Sequence, residues 1–191
     1  GPCREICALT GASMQTVTRL CKLGLLEQQE REVLRSPKQE LPPPAEPITL
    51  TDEQQTAFDG LSAQMEREKP GAALLYGVTG SGKTAVYVAL IQKALDEGRS
   101  AMLLVPEIAL TPQLLGRMTA HFGKTVAVLH SSLRVGERYD EWRRIARGEA
   151  RVVVGTRSAV FAPLQSPGLL ILDEEQEHTY KSENAPRYHA R

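Results

Sequence analysis

AALLYGVTGSGKTAVYVALIQKAL, residues 72–95, is the stretch whose reading decides the fold. Its centre, Gly77 to Thr84, fills every fixed position of G-x-x-x-x-G-K-[ST]. Before it stands a short apolar run, Ala72 to Tyr76, which reads as a strand, and after it Thr84 to Leu95 reads as a helix. A glycine-rich turn between strand and helix lets backbone amides curl around a phosphate, and the helix N-terminus adds partial positive charge. Gly77, Thr79, Gly80, Ser81 and Gly82 are therefore the candidate cradle. Lys83 is placed to reach the β- and γ-phosphates, and the Thr84 hydroxyl to ligate Mg²⁺.

Outward from this loop the same alternation continues. Ala101 to Val105, Val126 to Leu129, Arg151 to Val154 and Leu169 to Leu172 are short unbroken apolar runs, the pattern of strands covered on both faces. Thr111 to Phe122 and Val135 to Arg147 are helical in pattern, the second with Tyr139, Trp142, Ile145 and Ala146 on an apolar face. Strands separated by helices imply right-handed crossovers and a parallel, doubly wound α/β sheet. LLILDEEQ, Leu169 to Gln176, ends an apolar strand on Asp173 and Glu174, at the sheet edge where ligands bind in open α/β folds. Asp173 is the candidate Mg²⁺ holder and Glu174 the group that polarises an attacking water. A kinase or a small GTPase can share such a phosphate loop.

Upstream the chain changes character. LPPPAEP, Leu41 to Pro47, has four prolines in seven residues and reads as a stiff connector. Three regions follow: 1–40, a linker at 41–48, and 49–191. In the first region Ile6 and Leu9 can line a short helix, and Thr10-Gly11 makes a turn. Ser13 is a plausible N-cap for a second helix carrying Val17, Leu20 and Cys21 and ending at Gly24. Helix, glycine turn, helix is the outline of a helix-turn-helix, and Glu27 to Pro37 can be the wing of a winged-helix domain; a generic helical hairpin fits the spacing equally. The piece opens on Gly1-Pro2 and looks like part of a larger domain.

Composition narrows the function. Lys and Arg number 23 and Asp and Glu 23, so the formal net charge is zero and DNA binding by bulk charge is disfavoured, though a local basic groove is not. Apolar runs are too short for a membrane span, charges near the start disfavour a signal peptide, and a cytoplasmic chain is expected. The three cysteines, at 3, 7 and 21, make neither a disulfide framework nor a four-ligand zinc site, and read as partly buried small hydrophobes. Arg138, Arg143, Arg144 and Arg147 are interleaved with Glu137, Asp140, Glu141 and Glu149, the pattern of a solvated helix face rather than a DNA site.

Asp-Glu-x-Gln after an acidic strand resembles superfamily 2 helicases and translocases. GVTGSGKTAVY (77–87), LLVPEIALTPQ (103–113), LHSSL (129–133), VVGTRSAVFAPL (153–164) and DEEQEHTYKSENAPRYHAR (173–191), in that order and spacing, closely resemble the PriA family of bacterial replication-restart helicases. The resemblance runs over essentially the whole chain. It implies a RecA-like P-loop lobe at 49–191, preceded by part of a winged-helix domain, in an ATP-driven 3′-to-5′ helicase that assembles a primosome at stalled forks. Single-stranded and forked DNA, single-strand-binding protein and other primosome proteins are the implied partners, ATP and Mg²⁺ the implied ligands. The family's zinc cysteines are expected elsewhere in a longer parent. It also implies that a second lobe completes the ATP site with arginines, so that this piece alone turns over little. A double-strand DNA translocase, or a module that binds ATP and DNA without hydrolysis, are the alternatives.

Residue by residue, the resemblance makes Gln54, in LTDEQ, the reader of adenine, and Gln176, where many relatives have histidine, a bridge to the γ-phosphate. It puts Pro106, Glu107 and Thr111, and Gly155, Thr156, Arg157 and Ser158, on the single-strand path, where hydroxyls, amides and one arginine suit sugar–phosphate contacts. His178, Tyr180, Lys181, Arg187, Tyr188 and His189 correspond to an aromatic-rich loop that senses DNA, with Tyr180, Lys181, Arg187 and Tyr188 as its contacts. By composition alone the last segment is equally a solvated loop, and the strand-end segments read rather as turns.

Overall fold

The computed structural model describes residues 3–27, 42–67, 69–78, 80–181 and 187–190, and the chain divides into two compact units, Gly1–Leu34 and Arg35–Arg191. In the first unit α1 (Cys3–Thr10) and α2 (Met14–Lys22) are joined by a short turn. Ser13 caps α2: its Oγ accepts from Thr16 N at 3.2 Å, satisfying one orphan amide of the first turn. Gly24, at φ +71°, lets the chain turn back so that Leu25 N donates to Leu20 O. Val17 is the buried side chain of α2, whereas Leu9 stays exposed and does not line a core as its spacing suggests. The Ile6 side chain and the expected wing beyond Glu27 lie outside the described residues.

The second unit is a four-stranded parallel sheet in the order β2-β3-β1-β4, formed by β1 (Ser100–Leu104), β2 (Val126–Leu129), β3 (Val152–Gly155) and β4 (Pro167–Leu172). The register alternates the apolar runs between two cores. Ala101, Leu103 and Val105 face α4 (Lys83–Asp96) and α5 (Pro112–Phe122) together with Ile91, Met118 and Phe122. Met102 and Leu104 face the other side, with Ile145 of α6 (Val135–Ala146) and the buried Tyr180. Helices on both faces make the sheet doubly wound, as the alternation of strand and helix requires.

Two expectations fail. Ala72 to Tyr76 joins no strand among the described residues. Apolar content alone does not make a strand; its N–H and C=O groups need a ladder partner. This run pairs with none of β1 to β4; Leu74 and Tyr76 are exposed and only Leu75 packs on the core. The second failure is the face of α6: Ile145 is buried, but its buried companions are Asp140 and Glu141, while Tyr139, Trp142 and Ala146 face outward. Upstream of the phosphate loop α3 (Asp52–Met65) begins with a capping box, Thr51 Oγ1 accepting from Gln54 N and Gln54 Oε1 from Thr51 N.

Candidate nucleotide site

Because all four strands run parallel, their C-terminal ends deliver Val105 to Glu107, His130 and Ser131, Thr156 and Arg157, and Asp173 and Glu174 to one edge of the sheet. That is the edge at which an open α/β sheet binds ligands.

The phosphate loop enters α4 through Gly82, at φ +82°, two residues after Gly80 at φ +83°. Both conformations favour glycine. A side chain at Gly82 would also meet Gln54, whose Nε2 lies 2.4 Å from where a Cβ would sit. Lys83 Nζ donates to Gly77 O at 2.7 Å and Val78 O at 3.2 Å, so the lysine caps the loop's own carbonyls. Ser81 N closes the turn on Val78 O. Gln54 Nε2 donates to Ser81 O at 3.2 Å while its Oε1 holds the cap of α3. In this conformation the Gln54 carboxamide braces the loop. Thr79 lies outside the described residues.

Asp173 stands at the end of β4, and Tyr87 of α4 donates its hydroxyl to Asp173 Oδ1 at 3.0 Å. Burial first, then the Asp173 carboxylate, pushes the Tyr87 phenol far above its ordinary range, so it stays a donor. Thr84 and Tyr87 are three apart on one helix and share a face. The acidic strand end is thereby tied to the helix that carries the threonine. One carboxylate and one hydroxyl are both hard oxygen donors, the ligand types that fit Mg²⁺. Glu174 adopts φ +49°, uncommon for a residue with a side chain, and its carboxylate accepts from Gln176 Nε2 at 2.7 Å. Gln176 thus holds Glu174 here rather than the phosphate loop.

A second cleft on the same edge is lined by Val105, Glu107, Thr156, Arg157 and Thr179. It brings together the two segments expected on the single-strand path and, through Thr179, the aromatic-rich segment expected to sense DNA. Glu107 Oε1 accepts from Ser131 Oγ at 3.1 Å, and Arg157 Nη1 donates to Lys181 O at 2.7 Å and Thr179 O at 3.4 Å. Gly155 is fixed by close approach, since a Cβ there would lie 2.2 Å from Leu129 O. Ser158, Lys181 and Arg187 are exposed; Pro106 and Thr156 are buried. The Thr111 hydroxyl caps α5 through Leu114 N. Tyr188 is half-buried with its ring edge-on to Phe161.

Tyr180 corrects an expectation. It is 0% exposed, so its ring is a core side chain and not a stacking platform. Its hydroxyl donates to Leu104 O at 3.0 Å and Asp173 O at 2.5 Å, reaching the ends of β1 and β4. Sequence reasoning gave Tyr87 no role, although its spacing from Thr84 was there to be used.

Residues 51–190 match the DEAD/DEAH box helicase family. Replication restart protein PriA of Bacillus subtilis is 48% identical over 191 residues, all of this chain and 24% of that protein. PriA of Synechocystis is 44% identical over 180 residues, 94% of this chain and 21% of that protein. PriA of Treponema pallidum is 49% identical over 144 residues, 74% and 21% respectively. Among solved structures, RecG bound to a three-way DNA junction superposes with a TM-score of 0.60 at 27% identity, covering 75% of this chain and 20% of RecG. The chain spans about a quarter or less of the length of each of these relatives.

Proposed function

The chain belongs to the DEAD/DEAH box helicase family, and from that premise we propose that it is the ATP-binding lobe of a 3′-to-5′ DNA helicase of replication restart, with part of a winged-helix domain before it. The observation that carries this reading is the hydrogen bond from Tyr87 to Asp173, which holds the acidic strand end against the helix opened by the phosphate loop.

On nucleotide binding Lys83 exchanges Gly77 O and Val78 O for phosphate oxygens, and the loop amides turn toward the same charge. Thr84 and Asp173 would hold Mg²⁺, which when bound would neutralise charge on the phosphates. Glu174 orients the attacking water, and Gln176 keeps that carboxylate in place. Gln54 is placed beside the loop, and reading adenine requires its amide to leave Ser81 O. The cleft around Arg157 takes the sugar–phosphate backbone of single-stranded DNA without reading sequence. Single-strand-binding protein and other primosome components are partners of the longer protein. RecG's three-way junction supports branched DNA as its substrate. In motors of this type a second lobe supplies arginines worth about 10³–10⁵ in rate, so this chain alone binds nucleotide weakly and hydrolyses little.

The test has two parts. A fluorescent ADP analogue should bind the chain, and Lys83→Ala should abolish that binding; unchanged affinity would sink the site. In the longer protein, ATP hydrolysis should rise strongly with single-stranded DNA. Equal rates with and without DNA would refute the motor reading while leaving the phosphate site intact.

A further inference from the structure

Asp173 is held from two sides. Tyr87 donates to its Oδ1 at 3.0 Å, and Tyr180 donates to its main-chain oxygen at 2.5 Å. Asp173 N in turn donates to Leu104 O, which the Tyr180 hydroxyl also reaches. The backbone of Asp173 is therefore locked to β1, and its side-chain rotamer is set by one hydroxyl from α4. In extended backbone χ1 near 180° and near −60° are both common, so the strand alone does not select between them. The Tyr87 hydroxyl makes that selection. It takes Oδ1 and leaves Oδ2 without a bond to that hydroxyl, and Tyr87 stands one turn after Thr84 on the same face of α4.

We propose that Tyr87 is a positioning residue for cation-assisted nucleotide binding: it orients the Asp173 carboxylate so that Thr84 and Asp173 act on one Mg²⁺. This rests on the reading of the site as an ATP site, and goes beyond it by assigning a role to a residue outside the phosphate loop and the acidic motif. Tyr87 touches neither phosphate nor metal; it acts through Asp173.

The distinguishing quantity is the Mg²⁺ increment, the ratio of nucleotide affinities with Mg²⁺ and with a chelator. A fluorescent ADP analogue titrated into the chain under both conditions reads it directly, without turnover. In Tyr87→Phe the ring stays in its place and only the hydroxyl is lost. The affinity in chelator should be unchanged, whereas the increment should fall about tenfold, which is 1.4 kcal/mol. Asp173→Asn should also lower the increment, and the double variant should fall no further than the lower single, since both changes remove one arrangement. A wild-type increment in Tyr87→Phe overturns the proposal. So does an equal loss with and without Mg²⁺, which would mark Tyr87 as packing for α4. So, too, do fully additive losses in the double variant. If the unsubstituted chain binds no nucleotide under either condition, the ATP-site reading fails as well, and the two failures are told apart.

Discussion

Tyr180 has one hydroxyl proton and two carbonyls within reach, Leu104 O and Asp173 O, so it serves as a shared donor at the ends of β1 and β4. Burial first, then the charges of Asp173, Glu174 and Glu177, raises its pKa well above the ordinary tyrosine value. The sign of the pH effect follows. Above about pH 10 an unfolded chain releases phenolic protons that the folded chain keeps, so the folded state binds more protons and its stability falls as pH climbs. Below that pH the contribution is fully present. Tyr180→Phe should therefore cost about 1–2 kcal/mol near neutrality, by removing a buried hydroxyl and taking its donor from Asp173 O, while Leu104 O still accepts from Asp173 N. Between about pH 9.5 and 11.5 the variant should lose stability less steeply than the wild type, because one of the proton-retaining groups is gone. Urea titrations across that range check it; parallel curves would mean that the phenol titrates alike in both states. The same burial explains why Tyr180 cannot be read from its neighbours: HTYKSENAPRYHAR is polar in composition, and only the fold shows which aromatic turns inward.

At the scale of elements, α6 does more than cover the sheet. β2 is an edge strand, and an edge presents unpaired amides and carbonyls. Glu141 Oε2 accepts from Val128 N at 3.2 Å, and Arg144 donates to Val126 O at 3.3 Å and to Lys124 O. Glu141 and Arg144 also pair with each other at 2.9 Å, with side chains 6% and 15% exposed. Two charged side chains thus take the place of a missing strand along β2. This accounts for the rotation of α6 relative to its apolar stripe. Periodicity puts Tyr139 and Trp142 inward, but hydrogen bonds to the edge, a tertiary demand invisible to periodicity, turn the Glu141 side inward instead. Glu141→Ala should destabilise the unit by about 2–4 kcal/mol, toward the low end because the Arg144 charge keeps its carbonyl partners. Glu141→Gln, which keeps an acceptor for Val128 N, should lose roughly half as much. Chemical denaturation of the two variants tests the pair of numbers, and a glutamine variant as unstable as the alanine one would assign the effect to the ion pair rather than to the edge.

Over the whole molecule, the parts legible in the sequence are those governed by local rules. The apolar runs at 101–105, 126–129, 151–154 and 169–172 are strands within a residue or two, and the Ser13 cap and the helix after Lys83 are where their signals put them. The place of Asp173 at the ligand edge follows from parallel topology, and the Tyr87 hydroxyl ties it to the helix after the glycine loop. What local rules leave open is pairing. Ala72 to Tyr76 has the composition of a strand, yet it stands outside the β2-β3-β1-β4 ladder, with Tyr76 90% exposed. The phosphate loop is therefore anchored from one side by α4 and braced by Gln54, and lacks a laddered strand before it. Local opening free energy follows buried contacts and ladder bonds, so hydrogen exchange should be graded across the unit. Amides of Leu103, Val153 and Val154, central in the sheet and fully buried, should be the slowest. Amides of 72–76 should exchange orders of magnitude faster, near the rate of exposed loops, and those of 80–84 should slow when ADP and Mg²⁺ are added. Slow exchange at 72–76 in the nucleotide-free chain, comparable with β1, would show that this run is hydrogen-bonded in solution and that the loop is anchored on both sides. Fast exchange that persists at 80–84 under saturating nucleotide would instead separate the loop from the ligand.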